Sequence, residues 1–507
     1  MTELENPPRR QVLRLLTGAS LVTLALGLPA CAEAPTRSPR PPSRPVAGRA
    51  GLPAARPVAD IIARAQLGGT IGFAVVDVQS GALLEGSQER VALPPASVAK
   101  AVTALYAREA LGSTHRFATR LVATGPVAGE VINGDLVLVG SGDPTLDTDA
   151  LAGLAAALRS RGVRRITGRF LVHGGALPRI PQIANDQPPQ AGYNAAISGM
   201  NLNFNRVHFS WQRSGSDYRV AMDARSARHQ PTVQMAEMRV VNRQVPVYTF
   251  ASENGRDRWT VARSALGGSG ARWLPVRQPE TYAAEVFRAL AAAQGIILPA
   301  GQEAPRGQTA QGSVLAEHLS DPLDVLVRDM LRFSTNITAE ALGLAASLAR
   351  GTGATSLAAS AQAMNRWAAG RFGIGTAGFT DHSGLNATSG IAMSDLARFF
   401  AQSAREGVLP GLLRQHEMRD ASNNPIRNHP LDVRAKTGTL NFVSALGGVV
   451  QVPGGRPLAF AISAADLPRR ARIPDEMRDR PEGSVAWTRR ARQMQQALIE
   501  RWGALPA

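Results

Sequence analysis

Lysine occurs twice in this chain, at positions 100 and 436, and every other member of its 56 Lys plus Arg is arginine. Both lysines stand in short stretches that could do chemistry: PPASVAK, ending at Lys100, and RAKTGTL, around Lys436. Ser97 lies three residues before Lys100. On a helix that begins near Ser97 the two side chains project from one face and can meet, a hydroxyl nucleophile beside an amine. A partly buried amine near another positive charge can lose its proton and act as a general base, whereas guanidinium effectively never does. A site that must exchange a proton therefore keeps lysine in a chain that otherwise uses arginine. A third stretch, FSTN at 333–336, offers a hydroxyl and an amide at Ser334 and Asn336. Singly, each stretch has an ordinary reading. A serine three before a lysine is common, RAKTGTL could be an edge strand with a solvated lysine, and Ser334 or Thr335 could cap the helix NITAEALGLAASLAR.

Together they stand in the order S-x-x-K, S-x-N, K-T-G, the active-site set of serine penicillin-recognising enzymes. Two more segments bear on the same reading: GSGDPTL at 140–146 and DHSGLN at 381–386. With these the chain resembles, over roughly residues 60–500, the class C low-molecular-mass penicillin-binding proteins, D-Ala-D-Ala carboxypeptidases/endopeptidases of the bacterial periplasm. GSGDPTL is similar to that family's GDPTL segment, and DHSGLN to its Asp-Gly-Ser-Gly-Leu stretch with His382 in place of glycine. The middle motif has Thr335 where Asp or Asn is frequent, at a position that points away from the chemistry.

The resemblance implies a role for each residue. Ser97 attacks the carbonyl of the penultimate D-Ala, and Lys100, its pKa lowered by burial and by the charge of Lys436, takes the proton. Ser334 relays a proton to the departing amine, and Asn336 holds Lys100 and the substrate amide. Lys436 and Thr437 bind the terminal carboxylate, while Gly438 leaves room for close backbone approach. The N–H groups of Ser97 and Thr439 meet the oxyanion. Partners implied are peptidoglycan stem peptides, with β-lactams as covalent inhibitors; no cofactor or metal is implied. Two rivals stand beside this reading. A β-lactamase shares the three motifs, though nothing in a small-ring hydrolase needs over 200 residues between Ser97 and Ser334. A non-catalytic wall-binding sensor could keep the fold, though unaltered Ser97, Lys100, Asn336 and Lys436 argue for chemistry.

The elements that must position these residues have their own signals. TIGFAVVDVQSGALLEG alternates like two strands about a Ser-Gly turn, and a helix follows Pro94-Pro95 with apolar Val98, Val102, Leu105 and Tyr106. Residues 114–316 carry strand-like pieces (GDLVLVG, RRITGRFLVHG, RVHFSW, YRVAMDA) and one helical stretch, ETYAAEVFRALAAAQGI. Helical patterns return from LSDPLDVLVRDM onward. The end reads strand, strand, Gly-Gly turn, strand, helix. The fold class expected is α+β: a serine penicillin-recognising (transpeptidase/β-lactamase-like) domain with a large β-rich insertion between the first and second motifs. The division expected is a leader at 1–32, a Pro/Arg-rich tether at 33–58, a catalytic domain at 59–113 and 317–507, and an inserted region at 114–316 made of two small subdomains.

Composition limits the alternatives. At 507 residues and 44% hydrophobic the chain has room for two or three folding units. A formal charge of +17 invites a nucleic-acid reading; eight of the arginines lie in the first sixty residues, and no nucleic-acid-binding signature follows. Anionic wall polymers or membrane suit the same surface, which predicts wall binding that weakens with salt. Eight histidines are scattered without H-E-x-x-H or similar spacing, and G-x-S-x-G is missing, which counts against a metal site and an α/β-hydrolase. GSGDPTL lacks a following G-K-[ST] and reads as a structural turn, not a phosphate loop. Arg9 and Arg10 before LLTGASLVTLALGLPA read as an export leader, by either twin-arginine or ordinary secretion. The only cysteine, Cys31 in GLPAC, suits a lipobox that would anchor a periplasmic protein to the membrane. Cleavage after Ala32 fits the same stretch.

Overall fold

The computed structural model describes residues 55–307, 310–420 and 422–504. The leader, Cys31 and most of the tether expected from the sequence lie outside the described residues.

The segment TIGFAVVD, Thr70–Asp77, is apolar almost throughout because it is a central strand covered on both faces. It pairs antiparallel with Leu83–Ser87 on one side and Leu458–Ala465 on the other. Val443–Gln451 and then Asp432–Leu440 complete a five-stranded antiparallel sheet, so the first and last strands of the chain share one layer. The hairpin 443–465 is closed by VPGGRP, not by a two-residue Gly-Gly turn. Pro453 and Pro457 have no N–H to give the ladder, which ends pairing before the glycines.

Helices cover both faces of this sheet. Val98, Val102, Phe399 and Phe400 pack with Ala445, Val449, Ala459 and Ala461 on one face. On the other, Val433, Ala435, Phe442 and Leu446 meet the terminal helix Ser484–Ala504 through Trp487, Met494 and Leu498. The indole of Trp487 donates to Leu67 C=O at 2.7 Å and that of Trp502 to Glu85 at 2.8 Å, so both large rings are buried without an unpaired donor. No helix among the described residues is long and apolar enough to cross a membrane.

The long stretch between the first and second motifs has a core of its own. A second five-stranded sheet, Gly301–Glu303, Phe170–His173, Leu136–Val139, Ala118–Ala123 and Ser313–Leu319, packs against the helices Thr148–Ser160 and Pro279–Ala293. Two three-stranded sheets extend it, one centred on Arg206–Ser214 and one on Arg256–Ala262. The helix Thr148–Ser160 was not expected from the strand-rich pattern around it. Its start is capped by Asp147, whose carboxylate accepts from the Ala150 N–H at 2.8 Å, and Leu151, Leu154, Ala155 and Leu158 form its buried stripe. GSGDPTL leads into it as a turn, in which Asp143 accepts from the N–H and hydroxyl of Thr145, both at 2.8 Å.

Candidate active site

Pro94 and Pro95 stop the preceding strand, and a single 3-10 turn, Ala96–Val98, leads into the helix Ala99–Leu111. Ser97 therefore sits on the tight turn at the helix entrance with Lys100 one turn on. The Lys100 Nζ donates to Ser97 Oγ at 2.9 Å, to Asn336 Oδ1 at 2.8 Å and to the Ser383 carbonyl at 2.8 Å. Three acceptors saturate the amine's hydrogen bonds and fix it against the serine.

The second motif occupies a helix–helix corner. Ser334 ends the helix Leu323–Phe333 in the left-handed region at φ 60°, and Asn336 opens the helix Asn336–Ala349. Neither Ser334 nor Thr335 caps that helix with its side chain. Thr335 donates to Thr338 Oγ1 at 2.9 Å, away from Lys100. Ser334 Oγ instead accepts from Lys436 Nζ at 2.9 Å, and Asn336 Nδ2 donates to the Tyr193 carbonyl of the insertion at 3.0 Å.

Lys436, Thr437, Gly438 and Thr439 lie on the edge strand Asp432–Leu440, and Lys436 Nζ also donates to Thr437 C=O at 2.7 Å. A Cβ on Gly438 would stand 2.6 Å from Pro95 O and 2.9 Å from Ser97 N, so glycine is what lets the strand lie against the Ser97 turn. All eight residues proposed from the sequence thus lie on three short segments, the 97–100 turn, the 334–336 corner and the 436–439 strand, which the contacts of Lys100, Lys436 and Gly438 bring together.

Electrostatics at that point are set mainly by burial. Lys100 is fully buried, and desolvation of its ammonium pulls the pKa down to about 8. Glu340 and Asp381 work in the opposite direction by favouring the charge. The cause expected beside burial, the charge of Lys436, does not figure at Lys100. It acts in reverse: burial, then Lys100, then Arg414 hold Lys436 well below an ordinary lysine. The two carboxyls are pushed up by burial and are nonetheless well bonded. Glu340 accepts from the N–H groups of His382 and Ser383 at 3.0 and 2.9 Å, and Asp381 from those of Gly384 and Asn386 at 2.6 and 2.7 Å. These bonds fix the 381–386 loop, whose Ser383 carbonyl faces Lys100.

The sequence reading missed Glu340 and Asp381 as parts of the site. Glu340 did carry a signal, since it follows Asn336 by four residues and so shares its helix face. His382, which stands for a glycine in the resembling stretch, leaves this loop in place because its ring is accommodated elsewhere. It fills the space over Gly343, where a Cβ would come within 2.1 Å of the imidazole, and its Nε2 lies 2.7 Å from Ser360 Oγ. Burial pulls its pKa down to about 3, so it is a neutral packing residue.

Comparisons with known proteins point to one family. Residues 54–482 match the D-Ala-D-Ala carboxypeptidase 3 (S13) family. A D-alanyl-D-alanine carboxypeptidase of Actinomadura sp. (strain R39) is 27% identical over 436 residues, 78% of this chain and 77% of that one. A second, DacB of Haemophilus influenzae, is 23% identical over 297 residues, 56% of this chain and 60% of that one. In structure the chain is similar to penicillin binding protein 4 of Haemophilus influenzae, with a TM-score of 0.67 at 20% identity, covering 81% of this chain and 93% of that one. The same neighbour has been solved with a β-lactam, at a TM-score of 0.66. With a match across most of its length and a penicillin-recognising α+β fold around the three motifs, the chain belongs to the D-Ala-D-Ala carboxypeptidase 3 (S13) family of serine peptidases.

Proposed function

We propose that this protein is an exported serine D,D-peptidase that cleaves D-Ala-D-Ala, or D-Ala–meso-diaminopimelate crosslinks, in peptidoglycan through an acyl-enzyme on Ser97. The observation that carries the reading is the buried, weakened amine of Lys100 at 2.9 Å from Ser97 Oγ. In its neutral form Lys100 takes the hydroxyl proton as Ser97 Oγ bonds to the substrate carbonyl carbon. The N–H groups of Ser97 and Thr439 face the developing oxyanion. As the C–N bond breaks, a proton passes to the leaving amine through Ser334, which Lys436 orients at 2.9 Å. Water then adds to the ester, Lys100 takes its proton, and Ser97 is released. A β-lactam follows the first step and stalls at the second, because its leaving group stays tethered in the site.

The test is intact mass of the protein, lacking its leader, followed over time with a penicillin. A long-lived adduct of one penicillin, lost in Ser97→Ala, is the expected result, together with D-Ala release from a D-Ala-D-Ala peptide. An adduct that disappears within seconds as the drug is hydrolysed would turn the reading to a β-lactamase. No adduct and no D-Ala release would overturn it.

A further inference from the structure

The catalytic strand ends beside arginines that none of the three motifs contains. Residues 414–416 run antiparallel along its outer edge only as far as Ala435: the Ala435 N–H donates to Arg414 C=O at 3.2 Å and the His416 N–H to Val433 C=O at 2.7 Å. Beyond that point the cover stops. By strand alternation the main chains of Thr437 and Thr439 face the same edge, where the Thr437 carbonyl is taken by Lys436 Nζ and no strand among the described residues covers the two N–H groups, and their side chains share one face.

That face belongs to the terminal helix, which brings a second arginine: Arg492 donates from Nη2 to Thr439 Oγ1 at 3.4 Å. Gln496, one turn on, accepts from the Arg419 N–H at 2.8 Å and donates back to the Arg419 carbonyl, so the covering segment is clamped to the same helix. Arg419 is paired with Glu417 at 2.8 Å. Arg414 and Arg492 are exposed, and among the described residues no carboxylate forms an ion pair with either. Burial first, and then the charges of Arg414 and Arg419, lower the proton affinity of Arg492; the part due to its cationic neighbours is a repulsion that a bound anion would relieve.

Lys436 is badly placed to supply that charge by itself. It is only 2% exposed, and its hydrogen bonds go to Ser334 and the Thr437 carbonyl. Burial and its cationic neighbours also weaken its hold on the proton.

We propose that Arg492, with Arg414 beside it, is a substrate-binding pair that receives the terminal carboxylate of the leaving residue next to the hydroxyls of Thr437 and Thr439. Two planar guanidinium forks at the end of an open strand edge suit a carboxylate, which can accept two parallel N–H bonds from either. The inference rests on the peptidase reading above, since the anion is that substrate's own C-terminus.

The test compares an N-acylated tripeptide ending in D-Ala-D-Ala as the free acid and as its C-terminal amide. The ratio of kcat/KM for acid over amide reads how much the site gains from the carboxylate charge, and loss of fold does not mimic a change in it. We expect the unsubstituted protein to favour the acid by about 10²-fold and R414Q/R492Q to bring the ratio down by about tenfold or more, chiefly through KM for the acid. R492K, which keeps the charge without the fork, should recover part of the preference. A ratio unchanged in R414Q/R492Q, with turnover intact, would overturn the inference and leave Lys436 as the carboxylate's cation. Failure of the unsubstituted protein to cleave either peptide or to form a penicillin adduct would instead overturn the peptidase reading, and the inference with it.

Discussion

Lys100 shows how a single residue type is constrained by its surroundings. In the proposed role its amine must be neutral to accept the proton of Ser97, and burial lowers its pKa to about 8 while Glu340 and Asp381 restrain the shift. Below that value the amine is charged and inactive as a base; above it the amine is free. Penicillin acylation should therefore rise with pH through about 8 and level off above it, and stopped-flow acylation rates across pH 6–10 would check the direction. A profile that falls over this range would exclude Lys100 as the base. Lys100→Arg, which cannot deprotonate, should lower the acylation rate by about 10²–10⁴-fold.

At the scale of elements, the helix Asn336–Ala349 and the loop 381–386 are one unit. The helix supplies Asn336 and Glu340, the loop returns the Ser383 carbonyl to Lys100, and their contact is the His382 ring over Gly343. A methyl added at Gly343 would meet that ring at 2.1 Å, with helix backbone on one side and a buried imidazole on the other. Gly343→Ala should therefore cost about 1–3 kcal/mol of stability by overpacking. His382→Gly opens the space that the methyl needs, so the double variant should recover much of that loss. Denaturant unfolding of the four proteins in a double-mutant cycle measures the coupling; additive losses would show that ring and helix do not meet this way.

For the molecule as a whole, the insertion does more than decorate the catalytic domain. Leu177, Ile183 and Ile197 from the insertion share a small core with Ile337, Leu344, Leu357 and Leu385. At its margin the Tyr193 carbonyl receives Asn336 Nδ2, while Arg470 reaches Asp186 at 2.8 Å and Arg272 reaches Asp479 at 3.1 Å. The apolar part carries the stability, since half-buried ion pairs whose carboxylates stay open to water contribute little. Leu344 is fully buried there, two turns along the helix that Asn336 opens. Leu344→Ala should cost about 2–5 kcal/mol and also slow acylation, because the cavity loosens both the insertion and the helix holding Asn336. Denaturation and acylation rate measured on the same variant test this. Lost stability with an unchanged acylation rate would show that the insertion does not support the site.

Much of the catalytic core was determined by the amino-acid sequence alone. The spacing of Ser97 and Lys100, the order of the three motifs and the strand and helix periods at either end follow from local rules. The proposed proton transfer at Lys100, which arginine cannot perform, accounts for the retention of lysine there. The helix Thr148–Ser160 was legible too, through Asp147 and its 3-4 spacing of leucines, but it was masked by the strand-rich pattern around it. What the tertiary structure decided involves partners distant in the chain. Burial set the pKa of Lys100, reversed the influence expected between the two lysines, and joined Glu340 and Asp381 into the support of one loop. It placed the His382 ring over Gly343, and it brought Arg414 and Arg492 to the open end of the catalytic strand. Apart from the four-residue spacing of Glu340 from Asn336, no periodicity or motif carries such information, because desolvation and Coulomb interactions depend on distance in space and not on distance along the chain.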